Sequence, residues 1–142
     1  MYIAVDFDGS IVTEAWPGIG RLRFMARIVL QWLKRRGHVL ILNTCRRDQY
    51  LTWARMFLND RGIRFDYFNE NPPERTEAFG GDCRKISADI YIDDKAIGYW
   101  NWPIVFILFL VIELVTWLQK CGDRIGRKYG KAKATGQADQ DP

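Results

Sequence analysis

Tyr2 to Phe7 is a short run of apolar, β-forming residues around Asp6, and it stops at Asp8-Gly9. Its length and composition predict a buried parallel strand. From Arg21 to Arg36 the apolar positions Leu22, Met25, Val29, Trp32 and Leu33 recur at steps of three and four, which predicts a helix that Gly37 ends. Val39 to Leu42 predicts a second strand, Arg47 to Arg61 a second helix with Gly62 after it, and Arg64 to Phe68 a third strand. Asn69 to Gly81, with Pro72-Pro73, predicts a polar loop, and Ile90-Tyr91-Ile92 a fourth strand ending in Asp93-Asp94. Strands alternating with helices imply a doubly wound, parallel α/β sheet.

The pattern changes near Trp100. Pro103 to Leu118 is apolar on every face except at Glu113 and Thr116, and from Gln119 the chain is polar and basic. The expected organisation is a core over 1–99, an apolar helix over 100–119 and a basic, flexible tail over 120–142. Three placements of the apolar helix compete. A membrane span has aromatics at both ends (Tyr99, Trp100, Trp102 and Trp117), yet Pro103–Leu118 covers only about 24 Å of a core about 30 Å thick. A surface-lying anchor sets the basic tail on anionic headgroups. A soluble helix packs on the domain or on a second copy as a homodimer.

Composition narrows the classes. With 142 residues, 48% of them hydrophobic, the chain supports one domain with a real core. The net charge of +4 suits anionic partners of several kinds, and residues 119–142 hold six Lys/Arg against three Asp. Cys45, Cys83 and Cys121 form no C-x-x-C, and His38 is the only histidine, which argues against a zinc site or disulfide framework and for a reducing cytoplasm. Met1 leads straight into the first strand, so no signal peptide is expected.

The chemistry gathers at predicted strand ends. Asp6 and Asp8 are two apart on an extended strand and share a side. Carboxylates so close repel, and a divalent cation relieves the conflict; oxygen ligands without Cys or His point to Mg²⁺. The second strand ends in Asn43-Thr44-Cys45-Arg46, bringing a hydroxyl and a guanidinium to the same edge, and Lys85 precedes the strand that ends in Asp93-Asp94. In an open parallel sheet that edge is where ligands bind.

Ala4-Val5-Asp6-Phe7-Asp8-Gly9-Ser10-Ile11-Val12 resembles the first signature of the haloacid dehalogenase-like superfamily, a strand followed by D-x-D-G-[TS]. Leu40–Thr44 is similar to its second signature, Lys85 to its third and Ile90–Asp94 to its fourth, all in order. The resemblance implies a Rossmann-like core and a Mg²⁺-dependent phosphatase. In it Asp6 is the nucleophile and a metal ligand. Asp8 is the acid and base and reaches the metal through its backbone carbonyl. Thr44 and Lys85 hold the phosphoryl group, with Gly9, Ser10, Asn43 and Arg46 around it. Asp93 is expected to bind the metal directly and Asp94 in the outer sphere, although their adjacency leaves the order open. Arg46 and Arg47 follow the phosphate-binding position, where a guanidinium either clamps a second anionic group or belongs to a solvated helix start.

Cys45 is expected to be a buried structural thiol, and His38 is read as structural. Residues 9–37 and 69–84 are too few for a cap domain, so the site should be open, walled by Glu14–Gly18, and suited to large substrates such as phosphorylated nucleic acid ends. Against a nucleic-acid substrate, the sequence shows no row of interleaved aromatics for stacking. A binding module with weak turnover, recruiting to a membrane or nucleic acid, is the competing functional class.

Overall fold

A computed structural model describes residues 1–96 and 101–136, with side chains as far as Arg124. Tyr99 and Trp100, and the end of the basic tail from 137 on, lie outside the described residues. The chain divides into two compact units, Met1–Pro103 and Ile104–Pro142.

In the first unit the elements run β1 (Tyr2–Val5), α1 (Ala26–Arg35), β2 (Val39–Leu42), α2 (Asp48–Asp60), β3 (Tyr67–Phe68), α3 (Pro73–Ala78) and β4 (Ile90–Ile92). The strands form one parallel sheet in the order β3-β2-β1-β4, the α/β arrangement the alternating pattern predicts. The chain winds outward from β1 to β3 and then returns to the opposite side of β1. The switch in strand order therefore falls between β1 and β4. Register makes that switch a site: Val5 pairs with Leu42 and Ile92, so the residues that follow, Asp6, Asn43 and Asp93, leave the sheet level with one another. The Asp6 amide donates to Ile92 O and the Asn43 amide to Val5 O, both at 2.9 Å.

The core beneath the site is aliphatic. Ile3, Val5, Leu40, Ile41 and Leu42 are fully buried in the sheet, and Ala26, Val29, Leu30 and Leu33 form the buried stripe of α1. Helix α1 starts five residues later than its apolar periodicity predicts. Residues 21–23 pair instead with 11–13: Thr13 N donates to Arg21 O at 2.8 Å and Arg23 N to Ile11 O at 2.9 Å. Leu22, which fits the helical stripe, bridges to Val12 across this small hairpin, so tertiary pairing overrides the local period. β3 is two residues long rather than five, and the expected loop at 69–81 contains α3, entered through Pro72 and Pro73 as a helix start favours.

Helix α4 begins at Trp102, in the last two residues of the first unit, and continues through the second to Gly136. Residues 120–136 are therefore helical, where a flexible tail was expected. Over Trp102–Arg124 the helix is long and apolar enough to cross a membrane, by length and composition. Its exposed side chains include Ile107, Leu108, Leu110, Val111, Ile112, Leu114, Val115, Trp117 and Leu118. At 100° per residue these occupy an arc of about 220°, about twice the stripe an ordinary packed helix presents.

Candidate functional site

The turn after β1 is built to bring carboxylates together. Gly9 adopts φ +83°, and a Cβ there would collide with the Asp94 carboxylate, so only glycine fits between the two turns. Ser10 is fully buried and joins them: its hydroxyl donates to Asp6 Oδ2 and accepts from the Asp94 amide, each at 3.0 Å. The Ser10 carbonyl in turn accepts the indole N–H of Trp102, buried at the start of α4, at 3.0 Å. Ser10, expected beside the phosphoryl group, thus orients the nucleophile candidate and fastens the β4 turn. Trp102 is part of that support, a role that neither its place in the apolar run nor the competing placements of that run assign to it.

Carboxylate oxygens of Asp6, Asp93 and Asp94 all lie within 4.8 Å of one another. Burial pushes Asp6 from 3.8 up to about 6; the charges of Asp93 and Asp94 add to this, and hydrogen bonds from Ser10 and the Phe7 backbone oppose it. Three hard oxygen donors in mutual repulsion fit a divalent cation such as Mg²⁺. The cluster contains both Asp93 and Asp94 and leaves their inner or outer order open.

The Asp8 carboxylate is not in that cluster. Both of its oxygens accept from Arg46, Nε to Oδ2 and Nη2 to Oδ1, at 2.7 Å each. Arg46 is fully buried and also donates to Pro17 O at 3.3 Å and Gly18 O at 2.5 Å. Its guanidinium carbon lies 5.1 Å from the Phe7 ring centroid and 5.2 Å from that of Trp16. The expectation of a substrate clamp or a solvated helix start at Arg46 is thereby corrected. Its donors are committed inside the protein, because a bidentate pair with Asp8 and two carbonyls satisfy the fork that a substrate anion would need.

Thr44 stands at the end of β2. Its Oγ1 accepts the Arg46 amide at 3.3 Å, which leaves the hydroxyl proton to donate elsewhere. Asn69, in the left-handed region at φ 55°, holds this loop from the far side: its Oδ1 accepts the Thr44 amide at 2.7 Å and its Nδ2 donates to Arg46 O at 3.0 Å. Asn43 leaves β2 level with Asp6 and does not line the cavity described below. Cys45 is exposed rather than buried, because the loop turns it toward the cavity while Arg46 takes the interior position.

A cavity of about 450 Å³ is lined by Asp6, Asp8, Glu14, Trp16, Thr44, Cys45, Asp93, Asp94 and Lys95. Lys85 is not among them. It is exposed, with its carbonyl held by Asn71 and its ammonium 5.9 Å from the Tyr91 ring centroid. The lysine at the cavity is Lys95, whose Nζ lies 3.2 Å from Asp94 Oδ2 and whose pKa is raised by that hydrogen bond and charge. Its signal in the sequence was its place directly after Asp93-Asp94, on the turn that any strand-end site includes.

Fold and site together define a parallel α/β protein with an acidic cavity at its topological switch point. A solved structure of a conserved protein coded by a locus from Bacteroides thetaiotaomicron is similar to this chain, at 36% identity and a TM-score of 0.70, over 77% of this chain and 88% of that one. The chain belongs to the same family as that protein. No protein-family model and no curated protein matches the chain.

Proposed function

We propose that the chain is a Mg²⁺-dependent phosphomonoester hydrolase of the haloacid dehalogenase-like type, with Asp6 as the nucleophile. The observation that carries this reading is the convergence of Asp6, Asp8, Thr44, Asp93, Asp94 and Lys95 on one cavity at the switch point. The ordered resemblance of residues 2–95 to that superfamily's signatures supports it. Asp6 attacks phosphorus as the ester P–O bond breaks, giving an aspartyl-phosphate and an alcohol. Asp8 delivers the proton to the leaving oxygen and then takes one from the water that attacks the aspartyl-phosphate, which releases inorganic phosphate and free Asp6. The Thr44 hydroxyl donates to a phosphoryl oxygen, and Lys95, in place of Lys85, offsets its charge. The chemistry Mg²⁺ supplies, when held by Asp6, Asp93 and Asp94, is neutralisation of those carboxylates and of the phosphoryl oxygens.

For Asp8 to serve as acid it must turn away from Arg46, and that one contact favours the second reading, a phosphatase-like recruitment module with weak turnover. Turnover of p-nitrophenyl phosphate with Mg²⁺ and with excess chelator separates the two. The enzyme reading expects metal-dependent release of many equivalents of phosphate. Turnover unaffected by chelator would sink the metal-site assignment, and a single slow equivalent would leave the recruitment module. In the proposed setting the first unit is cytoplasmic and α4 holds the protein at a membrane, its apolar arc in the bilayer and Lys120 and Arg124 at anionic headgroups. A width of about 220° exceeds the seam of a helical pair, which favours lipid over a homodimer.

A further inference from the structure

The cavity carries a feature that phosphate transfer does not use. Trp16 lines it together with Asp6, yet the ring is 54% exposed. It is not loose: its centroid lies 4.8 Å from that of Tyr50 and 5.2 Å from the buried Arg46 guanidinium. Tyr50 meets Trp53 edge-on at 5.4 Å, and Trp53 is itself 48% exposed. A braced, half-open indole at the wall of a cavity, with a second one two rings away, is a surface on which planar rings stack.

Charge narrows the ligand further. Arg46 is committed to Asp8 and two carbonyls, and Arg47 lines the adjoining pocket rather than this cavity. The other charged groups at the cavity are carboxylates and Lys95, which is hydrogen-bonded to Asp94. A second phosphate on the substrate would meet net negative charge; an uncharged aromatic ring would not. The cavity's volume of about 450 Å³ lies within the roughly 300–1,000 Å³ typical of sites for small organic ligands.

We infer that Trp16 stacks the base of a nucleoside monophosphate, so that the substrate class is a nucleobase-bearing phosphomonoester, either a free mononucleotide or the phosphorylated end of an oligonucleotide. The phosphate end of this ligand rests on the phosphatase reading; the base end rests on Trp16. The aromatic row, spread over residues 16, 50 and 53, extends beyond a single ring, so it offers more stacking surface than a phenyl ester would cover.

The test uses full-length Asp6→Asn protein, calorimetry, and AMP, ribose 5-phosphate, phenyl phosphate and ADP, each with and without Mg²⁺. AMP should bind about tenfold or more tighter than ribose 5-phosphate, the gain expected of one base–aromatic stack. Adding Trp16→Ala should bring that ratio to about one, and Trp16→Phe should keep most of it. Equal affinity for AMP and ribose 5-phosphate overturns the inference, as does a preference that survives Trp16→Ala or a loss that falls equally on both ligands. Phenyl phosphate with the same Trp16-dependent gain, or ADP binding tighter than AMP, overturns the assigned class. A 5′-phosphorylated dinucleotide that binds tighter than AMP, with the gain lost in Trp53→Ala, assigns the oligonucleotide end; equal affinity assigns the free nucleotide. A wild-type chain that binds AMP through Trp16 and releases no phosphate strikes the phosphatase reading and leaves the base site. One that hydrolyses ribose 5-phosphate without favouring AMP does the reverse.

Discussion

The Asp6–Ser10 turn and helix α4 break opposite rules of protein composition. At the turn, Asp6 shares a small space with Asp93 and Asp94 from the end of β4, and burial raises Asp6 to about 6, so the excess is charge withdrawn from water. In α4 the excess is apolar surface left in water, from Ile107 to Leu118. Around the turn the neighbouring polar groups have partners within the protein: Ser10 bonds Asp6 and the Asp94 amide, and Asp8, Arg46, Thr44 and Asn69 form a second hydrogen-bonded network. Under the proposed function, the conflict among the carboxylates is what a cation would relieve, and the apolar arc is what lipid would cover.

The comparison breaks most sharply at Asp6. Asp6→Asn keeps the shape and removes the proposed nucleophile, so turnover should fall about 10⁴-fold, about 5 kcal/mol of barrier, while circular dichroism stays unchanged. Residual activity above about one per cent would mean that another group attacks phosphorus. Next in size is Arg46→Ala. It strands the Asp8 carboxylate and empties a fully buried position, and should cost about 3–5 kcal/mol in urea unfolding. A loss under 1 kcal/mol would show that the pair does not hold the turn.

On the α4 side, Leu114→Lys places a charge in the apolar arc at a residue 55% exposed. Inserted in lipid, that charge costs about 3 kcal/mol, and sedimentation with anionic vesicles should weaken accordingly. A substitution that leaves vesicle binding intact yet dissociates a dimer would give the arc to a second copy. Raising salt sharpens the same contrast, because headgroup attraction is screened and apolar insertion is not.

The smallest effect is the pH dependence of stability in chelator. Asp6 titrates at 3.8 ordinarily and about 6 when folded, so the unfolded chain releases this proton first. Stability should then be present in full below about pH 4 and decline as pH rises through 6. Mg²⁺ should restore it mainly above pH 6, and Asp6→Asn should flatten both dependences in thermal melts. A slope unchanged in Asp6→Asn would trace it to a different group.

The amino-acid sequence by itself determined where β2 and β4 end, because a buried parallel strand must be a short apolar run and Asn43 and Asp93 follow such runs directly; β1 ends at Val5, two residues before the predicted Phe7, which leaves Asp6 just past the strand. It determined the α/β class through alternation, the glycine at position 9, and the apolar character of α4, since composition alone decides how apolar a helix is; that much of this surface is uncovered is a finding of the structure. Tertiary structure decided everything that depends on which loops meet. The hairpin between 11–13 and 21–23 shortened α1, and the turn geometry sent Arg46 inward and Cys45 outward. The same folding put Lys95 at the cavity and left Lys85 outside it. Trp16 and Tyr50 are 34 positions apart, so the aromatic row the sequence lacks exists only once the chain folds. Periodicity reports one element's own face; the meeting of side chains from separate elements depends on long-range packing, to which local spacing carries no signal.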